Sequence, residues 1–291
     1  MGIVRAMRYD TPGPQAAQPI GVFDSGVGGL TVLRALTRVL PREDFLYLGD
    51  TARLPYGAKS PASVSRYALQ CARVLVDQGI KLLVVACNTA SSVALPALRE
   101  AFPGLPVLGV VQPGARAACE RTRAGRIAVI ATESTVQGGA YHKAIQRIRP
   151  DAEIRSRACP LFVALAEEGW IDGPLVEGVV GEYLQPLFRE FGSHGPDSLV
   201  LGCTHFPVLA APISRVAGPD VAVIDSAATT AAQVADYLER TGLRKAEKSQ
   251  PKTPEGVVHF MATDGASRFA RVAGIFLGRE LTPDHVQIVD L

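Results

Sequence analysis

Short apolar runs alternate with longer stretches of helical periodicity along almost the whole chain. Residues 20–24, 44–48, 81–86, 107–110, 126–131, 153–157, 198–201 and 221–224 read as strands. Several are apolar without alternation, as expected of strands covered on both faces in a parallel sheet. Between them, residues 30–40, 63–78, 91–102, 138–149 and 175–191 carry the amphipathic spacing of helices. The pattern predicts an α/β fold of βαβ units: two similar domains, each with a mainly parallel sheet flanked by helices.

Breaks in this rhythm set the expected domain limits. A strand runs into the Pro/Gly turn of Gly109-Val110-Val111-Gln112-Pro113-Gly114 before a new helix starts, and a second crossing is expected at Asp225-Ser226. The helix over 227–240 then packs back on the first domain, the polar stretch 245–255 forms an exposed loop, and 257–262 with 267–276 form a last unit. The division is therefore 1–19 as a flexible extension, 20–112 plus 226–291 as the first domain, and 113–225 as the second. Ligands of open α/β sheets bind beyond the carboxyl ends of the strands, so the active site is expected in the interdomain cleft.

Composition narrows the class. With 291 residues, 47% apolar and 20% charged, the chain is that of a soluble globular protein. It has no run near the roughly 18 apolar residues of a membrane span. A net charge of +2, with arginines scattered along helices, gives no footprint for nucleic acid. The first 19 residues hold Arg5, Arg8 and no apolar signal core, and the five cysteines are unpaired in spacing. Free thiols in a reducing cytoplasm follow.

Two of those cysteines carry the chemistry. Cys87 ends the run Leu82-Leu83-Val84-Val85-Ala86 and leads into Asn88-Thr89-Ala90-Ser91; Cys203 follows Leu199-Val200-Leu201-Gly202 and leads into Thr204-His205. A buried strand ending in a thiol at an incipient helix N-terminus is a setting that lowers a cysteine pKa. Either thiol alone reads equally well as a small buried hydrophobe. Together they suggest matched acid–base groups facing one substrate, as inversion of a carbon stereocentre requires. Zinc is the competing reading for Cys203 and His205, but the paired ligand spacing of structural zinc is missing, and Cys71, Cys119 and Cys159 are expected within or beside helices, away from strand ends.

The glycines of Asp24-Ser25-Gly26-Val27-Gly28-Gly29 explain a tight strand-to-helix turn and match neither the dinucleotide fingerprint nor a P-loop. They leave Asp24, at the strand end, as a partner for a thiol or an ammonium group, and Ser25 with its neighbouring N–H groups as a carboxylate cradle. After the second strand, Asp50 reads as a loop cap, and the Pro55-Tyr56-Gly57 turn offers a tyrosine hydroxyl and an N–H. His205 is placed to orient or exchange protons with Cys203. Glu167 and Glu168 read as a solvated helix end.

Over residues 20 to about 280 the chain resembles the cofactor-independent glutamate racemases of the aspartate/glutamate racemase superfamily. The segments that carry the resemblance are G-V-F-D-S-G-V-G-G-L-T-V-L, Y-L-G-D-T-A-R-L-P-Y-G, A-C-N-T-A-S and L-G-C-T-H-F-P; A-C-P-L-F-V-x-L-x-E and F-x-A-T-D-G match more loosely. The resemblance implies that Cys87 and Cys203 are the two bases, Cys87 acting on D-glutamate and Cys203 on L-glutamate. Asp24 then assists Cys87, His205 assists Cys203, and Glu167 lines the site. Substrate contacts carry over to Asp24, Ser25, Tyr56, Gly57, Asn88, Thr89, Thr204 and His205, with Thr132 and Thr135 as further candidates. It also implies no metal, no cofactor, a homodimer, and a supply of D-glutamate for peptidoglycan. Ala164 and Ala166 stand where many relatives carry Pro and Val. An aspartate or hydantoin racemase would use the same thiols, and a non-catalytic anion-binding α/β module is the alternative of another class.

Overall fold

The computed structural model describes residues 15–245 and 256–291. Strands β1 (Ile20–Asp24), β2 (Phe45–Gly49), β3 (Leu82–Val85), β4 (Val107–Gly109), β5 (Arg126–Ala131), β6 (Glu153–Ala158), β7 (Ser198–Gly202), β8 (Ala222–Asp225), β9 (Val258–Ala262) and β10 (Val286–Ile288) form two sheets. One has the order β10-β9-β2-β1-β3-β4 and the other β6-β5-β7-β8, and every pairing is parallel. The fold is α/β with two parallel sheets flanked by helices.

The helices are α1 (Leu30–Val39), α2 (Pro61–Asp77), α3 (Asn88–Val93), α4 (Leu95–Ala101), α5 (Val111–Arg121), α6 (Glu133–Gly138), α7 (Ala140–Ile148), α8 (Pro160–Glu167), α9 (Pro174–Arg189), α10 (Ala210–Ala217), α11 (Ser226–Thr241) and α12 (Ala266–Leu277). Successive side chains of each apolar strand enter opposite cores. Ile20, Val22, Phe45, Tyr47, Leu82 and Val84 join α1, α11 and α12. Phe23, Leu46, Leu48, Leu83 and Val85 join α2, α3 and α4. In the smaller sheet Ala128, Ile130, Leu199 and Leu201 meet α8, α9 and α10, while Ile127, Val129 and Val200 meet α5 and α7. Both faces of each central strand are thus dry, which is why these runs lack polar alternation.

The chain leaves the larger sheet at α5, whose Val111, Ala115 and Ala118 pack on the smaller one, and returns through α11, whose Ala227, Ala231, Val234 and Leu238 pack beside α1. Pro113 and Gly114 fall inside the first turns of α5, so the expected turn there is helical. Residues 1–14 of the expected extension and most of the 245–255 loop lie outside the described residues. Residues 15–19 are tied down: the Lys81 ammonium donates to Ala16 O at 2.7 Å and to Glu43 at 2.5 Å, and Lys81 N–H donates to Pro19 O. Among the described residues no helix is long and apolar enough to cross a membrane.

Strand order fixes where a ligand can sit. In the larger sheet the chain first moves from β1 to β2 and then returns to the other side of β1 with β3. In the smaller one it moves from β5 to β6 and returns to the other side of β5 with β7. The loops leaving each such pair diverge and open a crevice at the strand carboxyl ends. The residues at these two switch points are Asp24 with Cys87, and Thr132 with Cys203.

Candidate active site

Cys87 caps α3: its Sγ accepts the Ala90 N–H at 3.5 Å and lies 3.6 Å from Ser25 Oγ. The thiol is 5% exposed. Burial pushes it up to about 12, helped by the charge of Asp24, while the Ala90 and Ser25 contacts pull the other way. The charge of Cys203 also raises it, as the smallest of these effects. Asp24 is fully buried; Oδ2 accepts the Gly26 N–H at 3.0 Å, and Oδ1 has no hydrogen-bond partner. Burial raises its carboxyl, against the pull of His205 and the turn N–H groups.

Cys203 follows β7, with His205 Nδ1 3.9 Å from its Sγ. The other ring nitrogen, Nε2, lies 3.1 Å from Glu167 Oε1, and Arg268 donates to Glu167 Oε2 at 3.0 Å. Burial lowers the imidazole, but the hydrogen bonds with Cys203 and Glu167 outweigh it and bring His205 up to about 10. The His205 hydrogen bond holds Glu167 below the usual carboxylate range. Glu167 is therefore no solvated helix end: it is the middle of a chain from Arg268 to Cys203.

The two halves meet around the thiols. Thr31 Oγ1 lies 2.9 Å from Thr204 O, and Gly28 packs directly under His205 and Thr204. The hydroxyls of Thr89, Thr132 and Thr135 form a triangle with sides of 3.0, 3.0 and 3.3 Å. A Cβ on Gly57 would fall 2.8 Å from Thr132 Cβ, so this glycine permits the close approach of the two walls. Tyr141 donates its hydroxyl to Asn88 Oδ1 at 2.7 Å, leaving Asn88 Nδ2 buried and without a partner.

The Tyr56 hydroxyl is buried and donates to Asp50, which also binds Arg53 at 2.8 Å and Thr263 at 3.0 Å, so it braces the loop. One expectation needs correction: Cys159 directly follows β6 and takes the N-cap position of α8 without a side-chain cap hydrogen bond, making a third strand-end cysteine. It is fully buried and pushed upward by desolvation, with the character of a small core residue. Among the described residues no three His, Cys, Asp or Glu side chains are grouped to hold a metal ion.

A profile of Asp/Glu/Hydantoin racemases matches residues 20–234. The chain belongs to that family. It is 51% identical over 262 residues to the glutamate racemase of Geobacter metallireducens, covering 90% of this chain and 93% of that one. It is 43% identical to the glutamate racemase of Neisseria meningitidis, covering 94% and 97%. The crystal structure of the Francisella tularensis glutamate racemase in complex with D-glutamate superposes with a TM-score of 0.83 at 36% identity, covering 94% and 98%.

Within this racemase, sequence reasoning missed Tyr141 and Arg268. Tyr141 stands in an ordinary amphipathic helix, and its spacing gives no sign that it reaches Asn88. Arg268, on α12, is more than 60 residues beyond the histidine whose partner it holds.

Proposed function

We propose that this racemase interconverts L- and D-glutamate through Cys87 and Cys203, one on each face of the substrate Cα. The observation that carries the reading is the matched placement of two buried thiols at the switch points of two parallel sheets, each beside its own acid–base partner. Inversion needs one group to remove a proton and another to return one from the opposite side.

The protonation states support unequal starting roles. Cys87, at about 12, carries its proton at neutral pH. His205, at about 10, is an imidazolium whose Nδ1 lies 3.9 Å from Cys203 Sγ, so Cys203 is assigned as the base in this state. In this state Cys203 takes the α-proton of one enantiomer, by family resemblance L-glutamate. The Cys87 thiol delivers its proton to the other face, leaving Cys87 as the thiolate and Cys203 as the thiol. The Ala90 N–H and Ser25 hydroxyl stabilise the new thiolate, and the substrate ammonium offsets the Asp24 charge that opposes it. The reverse reaction restores the first state.

Asp24 Oδ1 and Asn88 Nδ2, both buried without an internal partner, are assigned to the substrate ammonium and a carboxylate. Ser25, Gly57, Thr89, Thr204 and the N–H groups after β1 and β3 complete the cradle. Fixed dipoles in a site shielded from water stabilise the charge that builds on the α-carboxylate as the proton leaves. Tyr56 acts through the loop it anchors.

We further infer a cytoplasmic homodimer that supplies D-glutamate for peptidoglycan, with residues 20–112 and 226–291 forming one domain and 113–225 the other. The test is chiral chromatography of L-glutamate and L-aspartate incubated with the protein. Formation of D-glutamate supports the reading. Turnover of aspartate with glutamate untouched reassigns the substrate, and turnover of neither overturns the function.

A further inference from the structure

Glu167 is gripped by two cations that arrive from different parts of the fold. It closes α8, which packs on the smaller sheet, and meets His205 through Oε1; Arg268, on α12 against the larger sheet, holds Oε2. A cavity of about 130 Å³, lined by Val27, Leu54, Glu167, Asp264, Arg268 and Phe269, adjoins this contact. The carboxylate therefore has space to swing away from the imidazole if its outer oxygen is released. The remaining walls do not hold it. Asp264 bears a like charge and spends Oδ1 on the Gly265 N–H at 2.7 Å, and the Thr51 hydroxyl in the same wall donates to Asp264 O at 2.6 Å.

We propose that Arg268 is a positioning residue that keeps Glu167 aligned with His205, and so keeps Cys203 ready for proton transfer. This rests on the reading of Cys203 as one of the two bases. The Arg268 side chain is 62% exposed, so its charge is screened and its contribution is chiefly geometric. It fixes the second carboxylate oxygen, which sets the direction of the first. Without it Glu167 samples the cavity, and the imidazole loses the contact that aims Nδ1 at Cys203 Sγ. The groups facing His205 are Cys203, Glu167 and Asp24, and none of them replaces this hold.

Arg268→Ala and Arg268→Lys test it through two readouts. In Arg268→Ala, kcat is expected to fall about tenfold with KM within about twofold, because Arg268 orients catalytic groups and does not touch substrate. Alkylation of Cys203 by iodoacetamide at neutral pH, mapped by mass spectrometry, should slow about threefold while that of Cys87 is unchanged. Arg268→Lys should recover most of both. Wild-type alkylation of Cys203 in Arg268→Ala overturns the proposal, as does equal slowing at both thiols or failure of lysine to rescue. Alkylation needs no turnover. Native protein that does not racemise glutamate therefore overturns the functional reading, whereas the alkylation rates judge Arg268 alone.

Discussion

Gly28→Ala inserts one methyl group where the two halves of the racemase touch. The new Cβ would lie 2.5 Å from His205 Cε1, and closer still to His205 Nδ1 and Thr204 Oγ1. Ordinary carbon contacts begin near 3.5 Å, so the histidine and threonine must retreat by about 1 Å. Neither is free to do so cheaply. The His205 ring is bracketed by Cys203, Glu167 and Phe276, and Thr204 is fixed through its carbonyl by Thr31. Overpacking of this kind costs about 1–3 kcal/mol of stability. The catalytic cost is larger in proportion, since a misplacement of about 1 Å is worth roughly 10²-fold in rate. The assay is racemisation of L-glutamate by circular dichroism, with thermal unfolding measured alongside. The expected result is a folded protein with a modestly lowered Tm and kcat reduced about a hundredfold. A kcat within about twofold of wild type would refute the close packing of Gly28 against His205.

Three further outcomes follow from the same geometry. Cys87→Ala and Cys203→Ala should each abolish racemisation in both directions while leaving the circular dichroism spectrum unchanged, and near-normal turnover by either removes that thiol from the mechanism. Because the enantiomers are equal at equilibrium, kcat/KM must match in the two directions for any variant, so helper roles are read from isotope effects with Cα-deuterated substrates. Asp24→Asn should raise the effect for the enantiomer deprotonated by Cys87 and lower it for the other, and His205→Asn should do the reverse; identical changes would make both residues mere substrate-positioning groups. His205 also links stability to pH: its folded value of about 10 exceeds the roughly 6.5 of an unfolded chain. Its contribution is therefore complete below about pH 6.5 and lost as pH rises through 10, and the Tm gap between wild type and His205→Asn should narrow over that interval. A gap that widens contradicts the raised value.

The apolar strands were legible because burial on both faces leaves them no polar positions, and the residues read for β1 and β5 match the structure at both ends. The edge strand β10 was not. Only Val286 of its three residues is buried, so it has no pattern to read. Residues 91–102 looked like one helix but split at Ala94, beside Pro96, into α3 and α4, and α3 begins directly after Cys87. The expected helix over 138–149 is likewise preceded by α6 and divided from it at Gly139, whose φ of 62° breaks the turn. In the site, strand-end residues such as Asp24, Cys87 and Cys203 announced themselves because a polar group closing an apolar run is unusual. Glu167, Tyr141 and Arg268 lie on helices whose polar faces look like any other. Their partners are set by how the two sheets face each other, which local spacing does not encode.

The two-thiol claim is tested most directly by following L-glutamate at early times in deuterated water with chiral separation and mass analysis. If Cys203 removes the proton and a solvent-equilibrated Cys87 thiol returns another, newly formed D-glutamate carries one Cα deuterium from the outset while the remaining L-glutamate keeps its protium. D-glutamate that retains the original protium would mean one base acting on both faces, and would contradict the account.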